Sequence, residues 1–182
     1  MKPGSLKEKI AVAKLNLKDA SAFEEIYNSY IDKIYRFIYF KVETKQEAED
    51  LTSQTFLKIW QHAIEGKIKT KESFQSFIYQ VARNTVIDYY RSSQKKKANE
   101  VDLQNAENIS SKESPEKELD KKIDIQNLEK KIKQLKNEYQ EAIMLHYINE
   151  LSIEEISKII NKKRGTVRVL LYRAIKALKD QI

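Results

Sequence analysis

Residues 151–182 read LSIEEISKIINKKRGTVRVLLYRAIKALKDQI. Ser152 followed three residues later by Glu155 is the S-x-x-E signature of a helix start, in which each side chain accepts a backbone N–H near the other. Ile153, Ile156, Ile159 and Ile160 then make a short apolar stripe at helical spacing. A turn over Asn161–Gly165 precedes Thr166, after which Val167, Leu170, Leu171, Ala174 and Leu178 mark the inner face of a longer helix. A short helix, a brief turn and a longer basic helix form a helix-turn-helix pattern.

Charge follows the same segment. The chain of 182 residues carries +7 in total, of which residues 121–182 hold 14 basic and 8 acidic side chains, a net of +6. Residues 1–90 hold 14 and 12, and residues 91–120 hold 6 and 7. The excess is concentrated at Lys162, Lys163, Arg164, Arg168, Arg173, Lys176 and Lys179, with Asp180 as the one acid of the last 22 residues. Such clustering favours a polyanion, because neutralised phosphates release counterions; affinity then falls by roughly 0.9 log units per contacted phosphate for each log unit of salt. A solvated helix end whose cations complement the dipole is the plainer alternative for the charge taken alone.

Outward from this segment the chain divides in two. From Asp19 to Arg91 it is rich in aromatic and aliphatic residues. Phe23, Ile26, Tyr27, Tyr30, Ile31, Ile34, Tyr35 and Ile38 predict one helix, with Ser21 and Glu24 as its capping box. Thr44 and Glu47 predict the start of a second, through Leu51, Phe56, Ile59 and Trp60, with Gly66 in the connection that follows. Phe74, Phe77, Ile78, Val81, Ala82, Val86 and Tyr89 predict the inner face of a third. Residues 92–114 offer only Val101, Leu103 and Ile109 as large apolar side chains, too few to offset ordering entropy, so a flexible linker is expected. Ser114-Pro115 reads as an N-cap with proline at the first helical position. Ile125, Leu128, Ile132 and Leu135 then share one helix face, and Asn137 with Gln140 suggests a new start.

Composition removes several classes of function. With no Cys, a disulfide scaffold and a thiolate metal site are excluded. Three Gly and two Pro argue against hairpin-rich β folds, and no glycine-rich phosphate loop is present, so all-α is the expected class. The two histidines, His62 and His146, lie in different modules; neither a metal centre, a cofactor nor a catalytic assembly is indicated, and no enzyme activity is expected. The acidic cluster Glu47, Glu49 and Asp50 fits a helix start favoured by the dipole. No apolar run is long enough to span a bilayer, and the Lys-bearing stretch 1–20 lacks the apolar centre of a secretory signal, so a cytoplasmic protein is expected.

Three stretches, EAEDLTSQTFLKIW (47–60), FQSFIYQVARNTVIDYYR (74–91) and LSIEEISKII…GTVRVLLYRAIKAL, together resemble bacterial RNA polymerase sigma factors. The two-module layout resembles the extracytoplasmic-function (ECF) group, which keeps only regions 2 and 4. The resemblance implies a binder of core RNA polymerase that directs initiation at promoter DNA, and an anti-sigma factor is a further family expectation. On the second helix of region 2 it implies Asp50, Gln54 and Lys58 as polymerase contacts, although Ser53-Gln54 departs from the Gln-Glu frequent there. On the third helix it implies Tyr79, Arg83, Asn84, Asp88, Tyr90 and Arg91 as −10 element contacts, with Asn84 as the reader of a flipped base. Tyr79 and Tyr90 read equally well as half-buried aromatics. On the last helix it implies Arg164, Thr166, Arg168, Tyr172, Arg173 and Lys176 at the −35 element, with Arg168 and Tyr172 toward bases and Arg173 and Lys176 toward phosphates. Arg173 has an internal pairing with Glu155 or another carboxylate as its alternative. Val169-Leu170 departs from the family's common Ser-Arg. Asn161 replaces a frequent glycine in the turn and tolerates a left-handed backbone.

The expected organisation is two small helical domains: a tail over 1–18, region 2 over 19–92, a flexible linker over 93–114 and region 4 over 115–182. The alternative reading is a stand-alone helix-turn-helix regulator acting without core polymerase, which leaves the stretches 47–60 and 74–91 unexplained.

Overall fold

The computed structural model describes residues 5–68, 73–99 and 119–181, with the side chains of 95–99 and 119–126 set aside. Eight α-helices lie among them: α1 (Leu6–Asn16), α2 (Ala20–Tyr39), α3 (Lys45–Ile64), α4 (Phe74–Asn99), α5 (Leu119–Gln134), α6 (Asn137–Ile143), α7 (Ile153–Ile160) and α8 (Arg164–Lys179). A π-helical turn, Met144–Ile148, separates α6 from α7, and no strand occurs among the described residues. The fold is all-α.

Helix α1 occupies most of the stretch expected as a tail. Ser5 caps it by accepting the Glu8 N–H at 3.2 Å, and Ala11, Val12 and Leu15 are buried where it packs on α2 and α3. Glu8 is buried with them, and the Tyr30 hydroxyl of α2 donates to its Oε1. A carboxylate on the inner face hides this stripe from any count of apolar residues.

Helix α2 starts from Asp19 and not from the predicted Ser21–Glu24 pair. One Asp19 oxygen accepts the Ser21 N–H at 2.9 Å and the Ser21 hydroxyl at 2.7 Å, so the serine serves the cap instead of being it. The Thr44–Glu47 capping box of α3 is present: Thr44 accepts the Glu47 N–H at 3.2 Å, and Glu47 accepts the Thr44 N–H at 2.9 Å. Ile26, Ile34, Phe37 and Ile38 of α2 are fully buried. At roughly 1.5–3 kcal/mol each, they outweigh any single polar contact in holding α2 against α3 and α4. Helix α4 continues to Asn99, past the boundary expected near residue 92. The expected cap at Ser114-Pro115 lies outside the described residues.

The two modules touch. One apolar cluster runs from Ala11 and Leu15 through Ile26, Phe37, Ile59 and Ile78 into Leu145, Ile156, Ile159 and Leu171. Helix α4 packs on α7 as well as on α2 and α3. Polar contacts join the same faces: Ser73 Oγ donates to Glu155 Oε1 at 2.6 Å, and Gln75 Nε2 donates to the Asn149 carbonyl at 3.1 Å. A smaller cluster of Ile132, Leu135, Ile143 and Ala174 seats α5 and α6 on α8.

Candidate nucleic-acid interface

The C-terminal surface begins at α7. Ser152 and Glu155 form the predicted capping box, with Ser152 accepting the Glu155 N–H at 3.2 Å and Glu155 Oε2 accepting the Ser152 N–H at 2.9 Å. Burial works against ionisation of Glu155, but hydrogen bonds from Ser73 and from Ser152 prevail and hold its carboxyl below the usual range. Asn161 ends α7 in the left-handed conformation (φ 53°, ψ 49°), as the turn requires. The Ser157 hydroxyl then donates to the Lys162 carbonyl at 2.6 Å.

Helix α8 starts at Arg164, two residues earlier than the reading that left Gly165 in the turn. Val167, Leu170, Leu171 and Ala174 face inward, while Arg164, Thr166, Arg168, Tyr172, Arg173 and Lys176 are exposed, Tyr172 by 71%. Lys163 stands at the N-cap without a side-chain bond to the helix. The dipole's positive end is thus flanked by Lys162, Lys163 and Arg164, and the sum is an anion-attracting end. Arg164 reaches Glu154 at 2.9 Å and Lys162 reaches Glu138 at 3.4 Å. These exposed pairs are weak and give way readily to a phosphate. Glu155, the internal partner considered for Arg173, is engaged by Ser73 and Ser152 instead.

The second surface lies on α3 and α4. Asp50, Gln54 and Lys58 stand four residues apart along one edge of α3. Asp50 and Gln54 are exposed, while Lys58 is half-buried and pairs with Asp88 of α4 at 3.3 Å. Residues assigned to two different partners therefore meet on one continuous face. Asn84, Asp88 and Arg91 are exposed on α4. The Tyr90 hydroxyl donates to the Lys41 carbonyl, leaving its ring 39% exposed. The Tyr89 hydroxyl donates to Glu47 Oε1, tying α4 to the start of α3, and this bond pushes the phenol up to about 12.

Tyr79 does not belong to this surface. It is 0% exposed and packs edge-on against Phe37, ring centroids 5.3 Å apart. The inner stripe of α4 is shifted around the helix because it includes polar residues: Gln75, Ser76 and Thr85 are all buried. Counting only apolar side chains placed the stripe off-centre and left Tyr79 outside it. Arg83 is also partly covered: its Nε donates to Glu141 Oε1 at 3.1 Å. Lys41 and Glu141 escaped the sequence reading altogether, since neither falls in a periodic pattern or a motif.

Residues 26–96 match the family model for sigma-70 region 2, and residues 125–178 match the model for sigma-70 region 4. Both modules of the fold are thus of the sigma-factor class. SigM, an ECF RNA polymerase sigma factor of Bacillus subtilis, is 32% identical over 156 residues, covering 86% of this chain and 92% of SigM. BldN of Streptomyces coelicolor, also an ECF sigma factor, is 30% identical over 163 residues; the match covers 88% of this chain and 60% of BldN. The chain belongs to the ECF group of RNA polymerase sigma factors, and its function is to direct transcription. Sigma factors are DNA-binding initiation factors, not catalysts. The fold itself is shared with CnrH in complex with the cytosolic domain of CnrY (TM-score 0.71, 14% identity, 96% of each chain covered). It is shared as well with RpoE of Bartonella quintana in complex with the anti-sigma factor NepR (TM-score 0.67, 18% identity, 87% of this chain and 94% of RpoE). Among the described residues no helix is long and apolar enough to cross a membrane.

Proposed function

We propose that this sigma factor docks on core RNA polymerase through Asp50, Gln54 and Lys58 of α3, holds the opened −10 strand along α4, and reads the −35 element with α8. The docking edge is supported by its geometry: three polar side chains stand in line, and the residue that follows each of them, Leu51, Thr55 and Ile59, turns inward and is buried.

On α4, Asn84 is exposed and its amide can pair with the edge of an unstacked base, while Arg83 and Arg91 hold the strand's phosphates. Tyr90, its hydroxyl tethered, offers a fixed ring for stacking, and Asp88 pairs with Lys58 of α3. On α8, Arg164, Thr166 and Arg168 lie in the first turns and approach base edges, with Tyr172 one turn further on. Arg173 and Lys176 anchor the backbone.

Residues 19–92 act as region 2, extended by α1, and 115–182 as region 4. The stretch 93–114, whose first residues still belong to α4, tethers them so that binding of one raises the effective concentration of the other. The protein works in the cytoplasm beside the polymerase, has no enzymatic activity of its own, and has an anti-sigma partner, as RpoE, a protein of the same fold, has in NepR.

The observation that carries the reading is the match of regions 2 and 4 on one chain whose α8 presents an exposed basic face. Gel filtration with bacterial core polymerase tests it. The chain co-elutes with the enzyme, Asp50→Lys abolishes co-elution, and Asp50→Lys leaves duplex DNA binding intact. If the parent chain fails to co-elute while salt-sensitive duplex binding persists, it acts as a stand-alone regulator and the polymerase reading is wrong.

A further inference from the structure

The outward face of α8 has an apolar centre. Gly165, Val169, Tyr172 and Lys176 recur at four- and three-residue spacing, on the side opposite the buried Val167, Leu170, Leu171 and Ala174. Arg168 stands on one flank of this line, Thr166 and Arg173 on the other. Val169 is 48% exposed, although its branched side chain is a weaker helix former than a lysine, arginine or glutamine would be at a wet position. We propose that Val169 determines specificity in the −35 contact: its methyl groups pack on the C5 methyl of a thymine, and Gly165 lets this end of α8 lie deep enough in the major groove to reach it. The contact rests on the reading of α8 as the helix that enters the groove.

Packing among the described residues accounts for neither side chain. Val169 borders an open groove toward Asn137 and Tyr139 of α6 and stays half in solvent there. Gly165 is the second residue of α8 and has no positive φ, and a β-carbon added to it would meet no atom within 4 Å beyond its own stretch of helix. Neither backbone conformation nor crowding therefore calls for glycine, which is destabilising inside a helix relative to alanine. What the missing side chain supplies is a bare backbone one turn before Val169, where α8 can come close to another molecule.

The chemistry of the groove selects thymine. Every base presents donors or acceptors at its major-groove edge, but only thymine adds a methyl group. Valine offers neither donor nor acceptor. Set against the amino group or ring nitrogen of another base, it takes away that group's water and returns no hydrogen bond. Set against the methyl, it removes apolar surface from water on both molecules. The cations around it serve the same placement: Arg173 and Lys176 hold the backbone while Arg168 reads beside the valine. Tyr172, 71% exposed, continues the apolar line by one turn.

The test uses the full-length chain and duplexes selected with it from a random pool, with binding of the preferred duplex read by fluorescence anisotropy. Deoxyuridine in place of each thymine in turn removes only the C5 methyl. At one position the parent chain loses about fourfold in affinity, the weight of one methyl group buried away from water. Val169→Ala no longer distinguishes thymine from deoxyuridine there. Gly165→Ala melts no lower than the parent by circular dichroism, yet binds every duplex about tenfold more weakly, the effect of a methyl forced into a filled interface. A pool that yields no preferred sequence overturns the proposal. So do indifference to deoxyuridine at every thymine, a sensitivity that survives Val169→Ala, and parental affinity in Gly165→Ala. Arg173→Ala separates this contact from the reading beneath it. If that variant lowers the salt slope while deoxyuridine has no effect, α8 lies on DNA and only the thymine contact has failed. If the salt slope is unchanged as well, α8 is not the DNA-binding helix.

Discussion

At the scale of single residues, Asn84 and Arg168 carry the sharpest expectations. Asn84 is exposed and carries both a donor and an acceptor, so Asn84→Ala removes base pairing without disturbing the core. Promoter opening by the holoenzyme, followed with permanganate footprinting, falls by about ten- to a hundredfold, the weight of one base-specific contact of 1–3 kcal/mol; polymerase binding stays within twofold. Arg168→Ala weakens binding to the preferred −35 sequence by about 1–3 kcal/mol and relaxes preference at one position. Arg173→Ala instead weakens all duplexes alike and reduces the salt slope by about 1. Equal behaviour of the two variants in a salt titration shows that the division between base readers and phosphate anchors is wrong. Tyr79 was misjudged at this scale because exposure depends on which polar residues are buried beside it. Gln75 goes inside where its amide finds the Asn149 carbonyl, 74 positions away in the chain.

At the scale of elements, the two helix starts closed by a capping box were the most legible feature. Thr44–Glu47 and Ser152–Glu155 are closed by groups three residues apart, so the local chain suffices. Helix α1 was illegible because its inner face includes Glu8, whose burial makes sense only with the Tyr30 hydroxyl in place. Leu15 of α1 is fully buried, and Leu15→Ala is expected to destabilise the protein by about 2–5 kcal/mol, measured by urea unfolding. A loss below about 0.5 kcal/mol, the scale of surface substitutions, would make α1 a dispensable appendage instead of part of the bundle. The left-handed Asn161 admits a similar check: Asn161→Gly leaves stability nearly unchanged, whereas Asn161→Ala costs about 1 kcal/mol.

At the scale of the whole molecule, Glu155 does two things at once. It caps α7 and accepts the Ser73 hydroxyl from the other module. Its folded carboxyl titrates below the ordinary value of 4.5, so its contribution is whole above that value and disappears as pH falls through the lowered one. Melting temperature, followed by circular dichroism from neutral pH downward, declines below about pH 4.5 more steeply in the parent chain than in Glu155→Gln. Identical slopes would mean that the carboxylate contributes nothing to the folded form.

The sequence by itself determined the helical class, the helix-turn-helix, the concentration of charge on its last helix and the resemblance to sigma factors. Each of these depends on residues a few positions apart. Only the tertiary structure decided that α1 joins the bundle, that Tyr79 is inside, and that Glu141 meets Lys41 and Arg83. Those outcomes depend on pairing polar groups between distant segments, where burial is tolerable only once the partner has arrived. Periodicity records which side chains avoid water, not which buried donors and acceptors will find each other.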